Sequence, residues 1–235
     1  MVMAIDLSKK IAIVTGGTKG IGRAIAEALA AAGASVVITA RNQDEITKAV
    51  SELNSMAKGY VCDVRDYNQV KSLFAEVGAV DILINNAGWG KRTPVVKAKL
   101  EDWDQTFRLN LRAPMILAQK FLPAMIAKGE GAVINIGSVS GKSGEANGAA
   151  YSASKFGLIG FTQSLYGEVR EHGIKVSVIL PGFVDTPLIP PNRQLDRSKM
   201  IQAADIAQTV CYVLAAPATS CPVEITVRPQ RTPYR

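Results

Sequence analysis

The chain has 235 residues, and its content of 48% hydrophobic and 20% charged residues is typical of a compact globular protein and excludes a disordered one. The net charge of +7 is scattered over 27 lysines and arginines without interleaved aromatic residues, which argues against a nucleic-acid-binding groove. No apolar run is long enough to span a bilayer and no secretory signal is apparent, so we expect no membrane contact. Three cysteines without metal or disulfide spacing indicate reduced thiols in a cytoplasmic protein.

Short apolar runs alternate with segments of helical spacing along the chain. The apolar runs predict buried strands at residues 11–14, 36–39, 60–62, 80–84, 132–136, 174–180 and 223–227. A first helix is predicted from a glycine-rich turn to Gly33, and further helices are predicted at residues 43–54, 67–77, 99–128, 150–171 and 203–215. Pro114 and Pro123 are expected to kink or interrupt the helix over 99–128.

This alternation predicts the fold class. Right-handed crossovers between parallel strands place helices on both faces of one sheet. We therefore expect an α/β fold with a doubly wound parallel sheet of seven strands, of the Rossmann type. No linker, repeat or low-complexity tract divides the sequence, so residues 1–235 are predicted to form a single domain.

Three glycines follow the first strand and open the first helix, at Gly16, Gly20 and Gly22. Glycines at this place let the backbone approach a pyrophosphate, and the helix N-terminus supplies N–H groups and positive potential. The turn also contains Thr18, Lys19 and Ile21. A tight strand-to-helix turn without a ligand is the alternative interpretation.

The end of the second strand discriminates between the nicotinamide cofactors. A carboxylate there favours the ribose diol of NAD, whereas cations favour the 2′-phosphate of NADP. The strand ends in Thr39-Ala40-Arg41-Asn42 without a carboxylate before Asp44. Arg41, together with Lys19 in the glycine turn, therefore predicts NADP(H). Two roles stay open for Asp63, which either accepts from the adenine amino group or caps the next helix.

A hydroxyl, a phenol and an amine are predicted to converge at the carboxyl edge of the sheet. Tyr151 and Lys155 are four residues apart and lie on one face of a predicted helix. An ammonium group beside the phenol is expected to lower its pKa. Ser138 follows the strand over 132–136, and Ser140 is its rival by residue type. Together these groups suggest proton transfer to or from a carbonyl oxygen.

Seven motifs, in this order and spacing, resemble the short-chain dehydrogenases/reductases, over residues 11 to 186. They also resemble the NADP-preferring subgroup of 3-oxoacyl thioester and carbonyl reductases. The motifs are Thr15-Gly16-x-x-x-Gly20-Ile21-Gly22, Asp63-Val64, Asn85-Asn86-Ala87-Gly88, Asn110, Ser138, Tyr151-x-x-x-Lys155 and Pro181-Gly182-x-x-x-Thr186.

The resemblance implies roles for these residues. Tyr151 would be the general acid or base, Ser138 would bind the substrate oxygen, Lys155 would hold the nicotinamide ribose, and Asn110 would keep a water in a proton relay. By residue type alone, Asn110 would be an exposed or locally bonded helix residue. The implied cofactor-binding residues are Gly16, Thr18, Lys19, Gly20, Ile21, Gly22, Arg41, Asp63, Val64, Asn85, Ala87, Gly88, Tyr151, Lys155, Pro181, Gly182, Val184 and Thr186.

The activity expected from the resemblance is the NADPH-dependent reduction of a ketone or aldehyde to an alcohol. A 3-oxoacyl thioester is one substrate class, and a small or a bulky ketone is another. The basic residues at 91–99 and Arg112 would attract an anionic substrate or carrier. A non-catalytic NADP-binding regulator is the rival from another class.

Two segments depart from the family pattern. Residues 183–202 are short, proline-rich and charged where relatives often carry a helical substrate lid. The C-terminus lacks the Gly-Gly ending that is usual in tetrameric relatives, so we expect an extended tail that packs on a neighbouring subunit. A homo-oligomer, either a dimer or a tetramer, is expected to form through the helices over 99–128 and 150–171.

Overall fold

The structure is a computed structural model that describes residues 5–53, 55–189 and 194–234. The described residues form one sheet of seven parallel strands, in the order β3-β2-β1-β4-β5-β6-β7. The strands are β1 Ile11–Thr15, β2 Ser35–Ala40, β3 Lys58–Val61, β4 Ile82–Asn85, β5 Gly131–Ile136, β6 Ile174–Pro181 and β7 Glu224–Val227. This order confirms the predicted doubly wound parallel sheet.

Helices cover both faces of the sheet. They are α1 Gly20–Ala31, α2 Gln43–Ser51, α3 Tyr67–Val77, α4 Leu100–Phe107, α5 Ala113–Lys128, α6 Ala149–Val169 and α7 Ala203–Ala215. On one face, Leu29 of α1 and Val210 of α7 share a core with Val14 of β1. On the other, Phe121 of α5 packs with Leu83 of β4. Both faces of the central strands are therefore buried, which explains their continuous apolar runs.

The predicted helix over 99–128 is divided. A π-helical turn, Arg108–Arg112, separates α4 from α5, and Ala113 N–H bonds to the carbonyl of Arg108. Pro114 lies in the first turn of α5 and has no N–H group to donate, which favours this break. Pro123, by contrast, lies inside α5 without ending it.

The C-terminal segment packs on its own chain rather than extending away. Asp196 N–H donates to Pro233 O at 2.7 Å, and the rings of Phe183 and Tyr234 meet edge to face with centroids 5.5 Å apart. The end of the described tail is therefore held by its own chain, and its packing on a neighbouring subunit stays a prediction. Among the described helices, none has the length and apolar character that a bilayer crossing requires.

Candidate active site

A cleft of about 640 Å³ opens at the carboxyl edge of the sheet, beside the ends of β1, β2, β4 and β5. The position is the one where ligands bind in open α/β sheets. Most residues that were predicted to bind a cofactor line this cleft, namely Gly16, Thr18, Lys19, Gly20, Ile21, Arg41, Asp63, Val64, Ala87, Gly88, Tyr151, Lys155 and Thr186.

The glycine turn needs its glycines for two physical reasons. Gly16 has a φ of +65° and Gly20 a φ of +56°, a backbone region that other residues rarely adopt. A Cβ atom on Gly22 would lie 2.3 Å from both Asn86 Nδ2 and Gly16 O. The turn is therefore packed directly against the end of β4, and the N–H of Gly16 donates to Thr39 O of β2 at 2.8 Å.

Asn86, which belongs to the motif over 85–88 but was not among the predicted cofactor-binding residues, joins the glycine turn to the end of β4. Its Nδ2 donates to Thr15 O at 2.8 Å and to Gly16 O at 3.2 Å. The preceding Asn85 points elsewhere, because successive strand residues face opposite sides. Asn85 is buried, and its Nδ2 donates to Asn135 Oδ1 at 2.8 Å inside the sheet. Asn85 was predicted to bind the cofactor, but its side chain does not line the cleft.

Charged side chains of both signs surround the β2 end of the cleft. Arg41 is exposed there, as the sequence predicted. Lys19 Nζ, however, lies 2.7 Å from Glu45 Oε1, so its charge is already paired. Arg65 binds the Asp63 carboxylate and lowers its pKa. Sequence patterns predicted Lys19 and Arg41 but not the pairing of Lys19 with Glu45, because these two residues are 26 positions apart.

Asp63 does not cap the following helix. The cap of α3 is Asp66, whose side chain accepts from Asn68 N–H at 2.8 Å. The first of the two alternatives for Asp63, an acceptor for the adenine amino group, stays a prediction.

Tyr151 and Lys155 line the other end of the cleft, and the buried Ser138 lies beside Tyr151 without lining the cleft itself. Lys155 Nζ lies 5.8 Å from the centroid of the Tyr151 ring and donates to Ile136 O at 2.8 Å. The hydroxyl of Ser138 hydrogen-bonds the Tyr151 side chain. Ser138 Oγ itself accepts from the N–H of Ser140 at 3.1 Å. Ser138 therefore lies beside Tyr151, and the backbone N–H of Ser140 fixes the position of the Ser138 hydroxyl.

Burial controls the protonation of both groups. Removal from water raises the pKa of Tyr151 above its ordinary value of 10.0, and the Ser138 hydrogen bond offsets only part of that rise. Burial lowers the pKa of Lys155 from 10.5 to about 8. The pKa of Tyr151 is therefore raised rather than lowered as expected, because desolvation is the largest effect and Lys155 is not among the groups that shift it.

Asn110 is buried in the π-helical turn between α4 and α5. Its Oδ1 accepts from Trp89 N–H at 2.9 Å, and its Nδ2 donates to Trp89 O at 2.8 Å and to Ser154 Oγ at 3.0 Å. These partners are 21 and 44 positions away, so the interpretation as an exposed or locally bonded residue is wrong. Asn110 fixes the backbone of Trp89, which lines the cleft.

A charged pair stands beside the tyrosine on the outer side of the cleft. Arg92 donates to Glu145 Oε2, and the hydroxyl of Ser140 donates to Glu145 Oε1 at 3.1 Å. Glu145 raises the pKa of Tyr151 and Arg92 lowers it, both less than burial does. The pair thus joins the loop after β4 to the loop after β5.

The segment after β6 approaches the glycine turn through Thr186 and Pro187, and both residues line the cleft. A Cβ atom on Gly20 would lie 3.2 Å from Thr186 Cγ2. Pro181, Gly182 and Val184 were predicted to line the nicotinamide, yet they do not line the cleft. Val184 is buried and bridges to Ile201.

Comparisons with known proteins agree with this geometry. The family model described as short chain dehydrogenase matches residues 10–196. An uncharacterized oxidoreductase of Staphylococcus epidermidis is 34% identical over 227 residues, which are 95% of this chain and 98% of that protein. The 3-oxoacyl-[acyl-carrier-protein] reductase FabG of Escherichia coli is 42% identical over 183 residues, or 76% of this chain and 75% of that protein.

Solved structures are similar over nearly the whole chain. A metagenomic short-chain oxidoreductase in complex with NADP has a TM-score of 0.81 and 34% identity, covering 96% of this chain and 99% of that one. A variant of actinorhodin polyketide ketoreductase with NADPH has a TM-score of 0.88 and 30% identity, covering 96% and 98%. The chain therefore belongs to the short chain dehydrogenase family and is an oxidoreductase that uses a nicotinamide cofactor.

Two observations show that the cleft fits such a cofactor. Gly16 and Gly20 line the cleft and carry no side chain there, so a ligand can approach the backbone of the turn. The hydroxyl of Thr39 is buried at the cleft, and it has no hydrogen-bond partner among residues 5–53, 55–189 and 194–234. A buried hydroxyl without a partner costs free energy unless a ligand binds it.

Proposed function

We propose that this chain reduces a ketone or an aldehyde to an alcohol with NADPH. The observation that carries the proposal is that Tyr151, with Ser138 beside it, and Lys155 line one end of a cleft whose other end is the glycine turn with Arg41. The cations at the β2 end support NADPH over NADH. The NADP and NADPH complexes of similar proteins give the same support.

Each side chain has a role in the proposed reaction. When bound, the nicotinamide supplies the hydride that adds to the carbonyl carbon. The Tyr151 hydroxyl donates its proton to the carbonyl oxygen, and Ser138 hydrogen-bonds the same oxygen as negative charge develops on it. The raised pKa of Tyr151 keeps its proton in place at neutral pH, which suits a general acid for reduction.

Lys155 and Asn110 complete the proposed proton path. The Lys155 ammonium holds the nicotinamide ribose hydroxyls and stabilises the phenolate that the reduction leaves on Tyr151. A Cβ atom on Gly88 would lie 3.5 Å from Asn110 Oδ1 and 3.7 Å from Lys155 Nζ, so the space beside this glycine adjoins both groups. We propose that a water there passes a proton from solvent to Lys155 and on to Tyr151.

A 3-oxoacyl thioester is the first substrate class that we propose. The similarity to 3-oxoacyl-[acyl-carrier-protein] reductases supports it, as does the similarity to a polyketide ketoreductase. Trp89 favours a second candidate, a free ketone with an aromatic or other bulky group. It lines the cleft with both of its backbone hydrogen-bonding groups held by Asn110, so its ring would be a fixed apolar wall.

The test is a substrate panel with wild type and two tyrosine variants. Oxidation of NADPH is measured with 3-oxoacyl thioesters, small ketones and aromatic ketones. Tyr151→Phe should lower kcat by roughly 10²–10⁴-fold and leave the Kd for NADPH within about twofold, because only the proton donor is lost. Tyr166→Phe, on the same helix and outside the cleft, should match wild type.

The panel also discriminates between enzyme and regulator. Wild type that binds NADPH but turns over none of the three substrate classes would favour a non-catalytic NADP-binding regulator. Turnover by Tyr151→Phe close to that of wild type would refute the acid role of Tyr151.

We further propose that the chain forms a homo-oligomer and works in the cytoplasm without nucleic acid or membrane partners. Four large apolar side chains on α4, α5 and α6 are exposed, which supports an interface there. They are Leu100, Phe107, Met115 and Phe156.

A further inference from the structure

Glu45 places a carboxylate in the part of the cleft where the 2′-phosphate of NADPH is proposed to bind. Its Oε1 lies 2.7 Å from Lys19 Nζ, and its Oε2 accepts from the hydroxyl of Thr18 at 3.4 Å. Glu45 and both of these partners line the cleft together with Arg41. The hydrogen bond from Lys19 lowers the pKa of Glu45, and the charge of Arg41 adds to this effect. Glu45 is therefore an anion at neutral pH.

The position of this carboxylate is built into the start of α2. Asn42 caps the helix, and its Oδ1 accepts from the N–H of Glu45 at 3.0 Å. Glu45 thus lies in the first turn of the helix, where the helix dipole favours an anion. Lys19 immediately precedes α1 and is held by the glycine turn. Two helix N-termini hence bring the lysine and the glutamate together at the mouth of the cleft.

A phosphate monoester and a carboxylate cannot share one lysine without cost. The phosphate carries about −1.5 to −2 charges at pH 7, so it is repelled by Glu45 and must compete with it for Lys19. NADH has a hydroxyl group in place of that phosphate, and a ribose hydroxyl donates well to a carboxylate. The same glutamate therefore opposes one cofactor and favours the other.

We propose that Glu45 sets the cofactor preference of this protein by competing with the 2′-phosphate for Lys19. It weakens NADPH binding and supports NADH binding, so the discrimination between the two is smaller than Arg41 and Lys19 alone would give. This inference rests on the proposed function, because it assumes that the adenosine end of the cofactor lies beside Arg41.

The test is the Kd of NADPH and of NADH, measured by the fluorescence of the reduced nicotinamide in wild type and in Glu45→Gln. We expect the ratio Kd(NADH)/Kd(NADPH) to rise by about tenfold in the variant, which is the size of a close charge effect of about 1.4 kcal/mol. The rise should shrink at 1 M salt, where the Debye length is about 3 Å. An unchanged ratio would overturn the proposal.

A matched control and a second variant sharpen the result. Glu27→Gln removes a carboxylate that pairs with Arg23 at 2.7 Å on α1 and does not line the cleft, so its ratio should equal that of wild type. In a Lys19→Gln background, the effect of Glu45→Gln should fall at least by half, since no lysine is left to compete for. An effect of undiminished size there would contradict the competition for Lys19.

The proposed function and the role of Glu45 can fail separately. The ratio of the two dissociation constants in wild type tests the NADPH preference. The change of that ratio between wild type and Glu45→Gln tests the role of Glu45, whichever cofactor wild type prefers.

Discussion

The burial of Lys155 serves the proposed chemistry at the expense of stability. Its pKa is lowered from 10.5 to about 8 by burial. In the unfolded chain the lysine keeps its proton up to about pH 10.5. Burial of the charged lysine therefore lowers the free energy of unfolding by its full amount below about pH 8, and by progressively less between about pH 8 and 10.5. The difference between the two pKa values corresponds to about 3 kcal/mol. Stability against unfolding should therefore rise as the pH increases from about 8 to 10.5.

Lys155→Met is expected to abolish turnover and yet to stabilise the fold at pH 7. The gain should be about 2 kcal/mol, because the loss of the hydrogen bond to Ile136 O costs about 1 kcal/mol. For a chain of this size that gain raises Tm by roughly 4–8 °C. The measurement is thermal unfolding at pH values from 6 to 10.

The gain from Lys155→Met should decrease above about pH 8, because wild type then loses the buried charge as well. Lys71→Met, at an exposed position on α3, should change Tm little at any pH. A variant that is less stable than wild type at pH 7 would contradict the account of the buried ammonium.

At the scale of single residues, the sequence predicted the side chains of the site but not all of their hydrogen-bond and ion-pair partners. Tyr151, Lys155 and Ser138 followed from spacing, because a strand end and a helix face determine where they point. Of the two asparagines in the motif over 85–88, Asn85 was assigned to the cofactor, whereas Asn86 lines the cleft; strand alternation decides which of them faces it. The pairing of Lys19 with Glu45 depends on how α1 and α2 are placed, which no local pattern contains.

At the scale of elements, strands and helices were largely predictable and their interruptions were not. The helices Tyr67–Val77 and Ala203–Ala215 have the predicted bounds, because apolar periodicity and end signals agree there. The π-helical turn at 108–112 was not predicted. It buries Asn110 against Trp89, a contact between distant segments that a helical pattern does not indicate.

The loop after β6 is held by one arginine, Arg197. Its Nε donates to Asp185 Oδ1 at 2.7 Å, its Nη2 to Thr186 O at 2.9 Å, and its Nη1 to Ile189 O at 3.1 Å. One guanidinium thereby fixes the turn that presents Thr186 to the cleft, next to Gly20. Arg197 thus positions residues 185–189 of this loop.

Arg197→Ala should therefore weaken NADPH binding although Arg197 does not line the cleft. We expect the Kd of NADPH to rise by about tenfold, since hydrogen bonds from a charged group contribute about 1.5–3 kcal/mol to the loop's order. Arg197→Lys should recover only part of the affinity, because an ammonium lacks the fork that reaches three acceptors.

Isothermal titration of NADPH into each Arg197 variant gives the affinity, and a thermal melt of each variant without cofactor reports its stability. Arg231→Ala, a nearby arginine for which no such contacts with the loop are seen among the described residues, should bind NADPH like wild type. Unchanged affinity in Arg197→Ala would show that Thr186 keeps its place without the arginine.

At the scale of the whole molecule, the sequence predicted the sheet and its class correctly. Seven apolar runs of strand length, separated by helical segments, leave few arrangements that obey right-handed crossovers. The course of the tail was not predictable, because its contacts with 195–196 and Phe183 join segments that are both irregular. The sequence also predicts that the helices over 99–128 and 150–171 meet a partner subunit, and their surface supplies the last prediction.

The exposed apolar side chains of α4, α5 and α6 should lie in a subunit interface. Phe107 is 38% exposed, Met115 45% and Phe156 46%, and exposed large apolar side chains grouped on neighbouring helices are typical of an interaction surface. Their removal from water would contribute about 25 cal/mol per Å² of apolar area.

Light scattering coupled to size exclusion should therefore give a mass of two or four chains for wild type. A double variant, Met115→Lys with Phe156→Lys, should give a smaller assembly, because burial of two ammonium groups costs more than the interface returns. Val61→Lys, which places the same charge on the exposed edge strand β3, should leave the mass unchanged. A wild-type mass of one chain would remove the oligomer from the proposal and leave these three side chains without a structural reason for their exposure.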